Sequence, residues 1–204
     1  MKFVVFGASG RTGQAFVTQA LEEGHFVTAF VRTPDKLTLT NSNLHIIEGN
    51  ATDFFQVSHA IKDHDAVVSC LGTDGLGPST FLEEAISTII KAMQEHGVHR
   101  ILYTASAGIE GEIPGMTGWL AQNILKNPLR DHLRAVQLLK TSNLNWTVAR
   151  PMGLTNGPVT AQYRKAVTGV PEDSKNISRA DVAHFLLHAA NTEIHLKQSV
   201  ALSY

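Results

Sequence analysis

The sequence predicts an α/β fold: a doubly wound, mostly parallel sheet with helices on both faces, built as a single domain over residues 1–204. Three observations carry this expectation. Short apolar runs of strand length recur at 2–6, 26–31, 44–47, 66–71, 100–104, 145–149 and 199–202. Helical patterns lie between most of them, and such alternation demands right-handed crossovers that put helices on either side of a parallel sheet. The first run breaks on three evenly spaced glycines, Gly7, Gly10 and Gly13, and re-forms as a helix. The expected strand order is 3-2-1-4-5-6-7.

Taken in order, the run Lys2-Phe3-Val4-Val5-Phe6 leads into Gly7-Ala8-Ser9-Gly10-Arg11-Thr12-Gly13 and then into Ala15, Phe16, Ala20 and Leu21 at helical spacing. This is the opening of a dinucleotide-binding βαβ unit of the Rossmann type. Gly7 lets the chain turn off the strand, Gly10 lets backbone approach a pyrophosphate, and Gly13 lets the helix lie against the sheet. The helix aims its free N–H groups and positive dipole end at the phosphates. Ser9, Arg11 and Thr12 belong to the same turn and count with the cofactor-binding residues.

The second strand ends Phe30-Val31-Arg32-Thr33-Pro34. NAD enzymes usually place an acid at this point to bind the ribose 2′-hydroxyl. Arg32 stands there instead, and a guanidinium matches a 2′-phosphate in a bidentate fashion. Arg11 approaches the same phosphate from the glycine turn, so the expected coenzyme is NADP(H). The alternative for Arg32 is a solvated loop cation. After the third strand, Asn50 and Ala51 fall where the adenine pocket is lined, while Asp53 reads as the N-cap of the next helix. After the fourth, Leu71-Gly72-Thr73 passes beneath the nicotinamide ribose. Cys70, the single cysteine, reads as a buried core thiol in a reducing compartment.

A helix after Pro78-Ser79 presents Leu82, Ala85, Ile86, Ile89, Ile90 and Met93 on one face and stops near Gly97. The fifth strand ends at Ala105-Ser106. Residues 107–128 read as a long loop, followed by a helix from about Arg130 with Leu133, Val136 and Leu139 inward. The sixth strand ends Arg150-Pro151-Met152-Gly153-Leu154, and residues 151–177 read as a second long loop. Both leave the carboxyl edge of the sheet, where substrate loops belong. Ser178 and Asp181 form a capping-box-like pair before Val182, Phe185, Leu186 and Ala189.

Formal net charge is −1 with no basic run, which excludes a nucleic-acid footprint. No run approaches membrane-spanning length, so a cytoplasmic protein is expected, a monomer or weak homo-oligomer acting on a small molecule. Ten histidines invite a metal, yet neither His184 with His188 nor His96 with His99 has a carboxylate or cysteine at ligand spacing, and none is expected. His132 borders the substrate cleft or serves as a surface or capping histidine. Ile113, Met116, Trp119 and Leu120 either cover an aromatic ring system, dock their loop on the core, or meet a partner subunit.

The glycine turn resembles the nucleotide fingerprint of atypical short-chain dehydrogenases. So do Val31-Arg32, Val68-Ser69-Cys70-Leu71-Gly72-Thr73, Thr104-Ala105-Ser106-Ala107, and Ile177-Ser178-Arg179-Ala180-Asp181-Val182-Ala183. Within that group the chain is most similar to the NAD(P)H-dependent flavin reductase, or biliverdin reductase B, subfamily, including Asp131-His132-Leu133-Arg134; NmrA-like proteins are also similar. The resemblance implies that Ser106, as catalytic residue, orients nicotinamide and acceptor. Pro151 and Met152 read as an apolar wall against the nicotinamide, with Leu154 following toward the substrate, where Trp119 and His132 are also candidates. Ordinary members carry a Tyr-x-x-x-Lys pair that is missing here, and mammalian relatives have histidine where Met152 stands. A flavin-like or quinone-like acceptor therefore fits better than an alcohol, with FMN or FAD as substrate rather than bound prosthetic group. The alternative implied by the NmrA-like members is a sensor that binds NADP(H) without turnover.

Overall fold

The computed structural model describes residues 1–204. Strand β1 (Lys2–Phe6) sends Phe3 and Val5 into one apolar layer and Val4 and Phe6 into the other. A strand buried on both faces has no polar side, which is why it reads as an unbroken apolar run. The chain continues through α1 (Arg11–Glu22), β2 (Phe26–Val31), a 3-10 turn at Pro34–Lys36, β3 (Leu44–Glu48) and α2 (Phe54–Ile61). Next come β4 (Ala66–Ser69), α3 (Phe81–His96), β5 (Arg100–Thr104), α4 (Gly115–Ile124) and α5 (Lys126–Thr141). The last third holds β6 (Asn145–Pro151), β7 (Gly153–Thr155), β8 (Arg164–Ala166), β9 (Asn176–Ser178), α6 (Arg179–Thr192) and β10 (Gln198–Ser203).

The main sheet runs β3-β2-β1-β4-β5-β6-β10-β8. Its first seven strands are parallel and follow the expected order, with β10 as the seventh. Phe6 sits beside Phe30 on one side and Ser69 on the other, so these strands end at one edge. The order reverses between β1 and β4, and this is where an open α/β sheet forms its ligand crevice. Helices α2, α3 and α5 cover one face, and α1 with α6 cover the other. Gln19 ties the latter two together, its Nε2 donating to the Ala180 carbonyl at 2.9 Å.

Helix ends follow local chemistry where a cap is at hand. Asp53 accepts the Gln56 N–H at 3.1 Å, and Ser178 accepts the Asp181 N–H at 2.9 Å. At Gly97 the backbone ends α3 at φ +66°. At the start of α3 the N-cap residue Thr80 makes no side-chain cap, and Ser79 Oγ accepts only the Phe81 N–H at 3.0 Å. Asp131 of α5 supplies one from 49 positions away, its carboxylate accepting the Leu82 and Glu83 N–H groups at 3.1 Å each.

Three expectations need correction. Residues 107–128 are not one loop, because α4 and the first turn of α5 lie within them. The i, i+3, i+4, i+8 spacing of Met116, Trp119, Leu120 and Ile124 was helical, but Gly115, Gly118 and Pro114 suggested a loop. Gly118 is there because a Cβ would come 1.8 Å from the Ile113 carbonyl oxygen. Residues 151–177 likewise contain β7 and β9, which pair in parallel, and β8, which runs antiparallel along β10. Strands of three residues are too short to show a period. The fourth strand ends at Ser69 rather than at residue 71, so Cys70, still packed against the core, also borders the crevice. No helix is long and apolar enough to cross a membrane.

Candidate functional site

At Gly7 the backbone takes φ +74°, and a Cβ would come 2.7 Å from the Cys70 carbonyl. The turn after β1 is thus pressed onto the turn after β4, which only glycine allows. At Gly13 a Cβ would meet the Gly7 oxygen at 2.2 Å, so α1 seats directly on that turn. Gly10 and Gly72 differ: a Cβ on Gly10 would touch only the Gly7 oxygen at 3.2 Å, and on Gly72 nothing within 4 Å. Packing needs glycine at the first two positions and hardly at the others, which border open space.

That space is a cleft of about 420 Å³. Of the expected cofactor residues, Gly7, Ser9, Gly10, Arg11, Thr12, Arg32, Ala51, Leu71, Gly72 and Thr73 line it. Asn50 lines an adjoining cleft of about 770 Å³, and Arg32, Gly49 and Phe81 border both. Helix α1 has neither a side-chain cap nor an acid in its first turn. Its opening N–H groups and positive dipole end therefore face the cleft without an internal counter-charge.

Four cations line the smaller cleft, Arg11, Arg32, Lys36 and Arg179, against one acid, Asp74. Arg32 Nη2 donates to Asp74 Oδ2 at 3.0 Å with side chains 64% and 81% exposed, and its guanidinium carbon lies 6.0 Å from the Phe81 ring centre. An exposed pair of this kind contributes at most about 1 kcal/mol, so Arg32 can be transferred to another anion at little cost. Lys36, Phe81 and Arg179 were missed by sequence reasoning. Arg179 had a signal, as the first residue after the Ser178 cap. Phe81 had none, since Asp131 brings the start of α3 to the cleft from a distant helix. These glycines, free N–H groups and cations fit a diphosphate with an additional phosphate.

The remaining expected residues line neither cleft. Ser106 lies beyond β5, half-buried, its hydroxyl donating to the Ala107 carbonyl at 3.0 Å. Pro151 and Met152 are buried at the end of β6, where the Met152 N–H donates to Leu202 at 3.0 Å. Leu154 is 37% exposed on β7, and Trp119 is 66% exposed on α4. His132 turns toward β5, with Nδ1 2.8 Å from the Tyr103 hydroxyl. Burial holds its imidazole down at about pKa 4, outweighing the opposing pull of Asp131. His132 is therefore a neutral partner of a core tyrosine in this arrangement.

All three tyrosine hydroxyls have internal partners. Tyr103 meets His132, Tyr163 lies 3.0 Å from His184 Nδ1, and Tyr204 donates to Asp181 Oδ2 at 2.6 Å. Burial raises Tyr103 well above the usual phenol range and Tyr163 to about 12. Desolvation likewise pushes the Cys70 thiol up to about 11, against a weak contact with Thr104 Oγ1 at 3.6 Å. A thiol held protonated is a poor nucleophile.

The NAD(P)H-binding family matches residues 7–193 of this chain. A chloroplastic protein of Arabidopsis thaliana, At2g34460, is 29% identical over 203 residues, spanning 92% of this chain and 71% of that protein. A wide-type short-chain dehydrogenase/reductase of Veillonella parvula, solved in complex with NADP, superposes with TM-score 0.86 at 21% identity, covering 100% of this chain and 94% of that one. ChuY, an anaerobillin reductase of Escherichia coli O157:H7, gives TM-score 0.81 at 24% identity over 100% and 97% of the two chains. Both structures share the fold.

Proposed function

The chain belongs to the NAD(P)H-binding family, and from that premise we propose that it is an NADPH-dependent reductase acting on a flavin-like or quinone-like small molecule. The observation that carries this reading is the cationic cleft at the reversal of strand order, where the glycine turn, the start of α1 and Arg32 meet. Gly7, Ser9, Gly10, Thr12 and the α1 N–H groups would hold the diphosphate, with Gly13 seating the helix. Arg11 and Arg32 would take the 2′-phosphate, Asn50 and Ala51 the adenine side, and Leu71, Gly72 and Thr73 the nicotinamide ribose. When bound, the coenzyme supplies a hydride from its reduced nicotinamide ring.

What the chain does not offer supports this acceptor class. Its three tyrosine hydroxyls are bound internally, and burial raises Tyr103 and Tyr163, which makes them weaker acids than a free phenol. Carbonyl reduction by a tyrosine acid thus has no donor ready, whereas a flavin-like or quinone-like ring takes its proton from water. The protein then contributes position, bringing acceptor and nicotinamide to about 3–3.5 Å. Ser106, Pro151 and Met152 would border the nicotinamide end, and Leu154 and Trp119 the acceptor side, while His132 is held by Tyr103.

A second reading, a non-catalytic NADP(H) sensor, draws on α4. Its Met116, Trp119, Leu120 and Ile124 are 83%, 66%, 49% and 51% exposed, a surface suited to a partner protein. One assay separates the two. FMN-dependent loss of NADPH absorbance, slower with NADH, is the result expected of the reductase. Tight NADPH binding with no turnover on flavins or quinones would instead establish the sensor.

A further inference from the structure

Building on the coenzyme reading above, we infer that Arg179 binds the coenzyme diphosphate from the side opposite the glycine turn and couples that contact to the position of residues 154–156. Arg11 opens α1 and Arg179 opens α6, two helices packed on the same face of the sheet. Both guanidinium groups line the same cleft. A cation at the first position of a helix faces the positive end of its dipole, and here two such cations face each other's field as well. Burial, and then the Arg11 charge, hold Arg179 below its ordinary range. This concentration of positive charge is relieved by an anion bound between the two helix starts.

No carboxylate of the chain neutralises Arg179. The nearest acid in sequence, Asp181, is occupied by the Thr160 and Ala161 N–H groups at 2.8 Å and the Thr160 and Tyr204 hydroxyls at 2.7 and 2.6 Å. Arg179 instead uses one nitrogen, Nη1, to bind the Leu154 and Thr155 carbonyls at 3.3 and 3.1 Å and Asn156 Oδ1 at 2.7 Å. Its Nη2 and Nε are left for a phosphate. A planar guanidinium can read two partners on two edges, which a lysine ammonium cannot. The anion is assigned as the diphosphate because Arg179 opens α6 onto the same cleft as the uncapped start of α1, whose free N–H groups are the diphosphate's seat. Strand β7 pairs with β9, which runs directly into Arg179, so the coupled segment is attached at both ends of the contact.

The test is calorimetric titration of NADPH and NADH into the wild type, Arg179→Gln and Arg179→Lys, with hydrogen exchange of residues 153–156. Since both nucleotides carry the diphosphate, Arg179→Gln is expected to weaken both by tenfold or more and to the same degree. It should also abolish the protection that NADPH gives residues 153–156. Arg179→Lys should recover part of the affinity but not the protection. Unchanged affinity for both nucleotides in Arg179→Gln, or a loss confined to NADPH, overturns the assignment. A wild type that binds neither nucleotide defeats the coenzyme reading itself.

Discussion

Arg32 illustrates how much one side chain can decide. It stands at the end of β2 and is held only by Asp74 in an exposed pair, so its charge is available to a ligand phosphate. Arg32→Asp should weaken NADPH binding at least tenfold, about 1.4 kcal/mol, and leave NADH nearly unchanged. An equal loss for both nucleotides in fluorescence titration would remove Arg32 from 2′-phosphate recognition. Gly7 and Gly13 were legible because their reasons are local and steric: a Cβ at either would collide with neighbouring backbone, the Cys70 carbonyl at Gly7 and the Gly7 carbonyl at Gly13. Asp53 and Ser178 were legible too, since an N-cap bonds within three residues of itself. Arg179 was quoted in a motif without a role, because its role depends on where α6 begins relative to α1.

Between elements, the contact of α5 with β5 joins a histidine to a buried tyrosine. Tyr103 is held as a protonated phenol, so its hydroxyl donates and neutral His132 Nδ1 accepts. With a folded pKa of about 4 against the ordinary 6.5, His132 takes up a proton more readily in the unfolded chain. Its contribution is therefore complete above about pH 6.5 and is lost as pH falls toward 4, at most about 3 kcal/mol. Urea denaturation of wild type and His132→Gln near pH 7 and near pH 5 checks the sign. The wild type should lose the greater stability on acidification, and parallel losses would refute the linkage. The same helix carries Asp131, which caps α3 across 49 positions. A cap supplied from another helix has no signature near the helix it serves.

For the molecule as a whole, the two long segments at the sheet edge are joined by a buried ion pair. Arg150 of β6 bonds Glu112 just before α4, with side chains 1% and 8% exposed. Its other terminal nitrogen reaches the Val167, Gly169 and Ser199 carbonyls at 3.3–3.4 Å. Glu112→Gln leaves a buried guanidinium with only neutral acceptors and should lower stability by about 3–5 kcal/mol. The denaturation midpoint should fall without a change in m-value, and added salt should not restore it. Replacing both partners, as Glu112→Leu with Arg150→Met, should cost much less, and a double variant as unstable as the single one would argue against the pair.

The sequence by itself determined the parallel sheet, its order through seven strands, and the glycine turn that begins the nucleotide site. Those features are written in local periodicity and in steric demands met within a few residues. Tertiary structure decided where α4 and β7–β9 form, which tyrosines are already bound, and that Arg179 joins Arg11 at one cleft. Each of these depends on groups far apart in the chain meeting across packed layers, and neither composition nor spacing carries that distance.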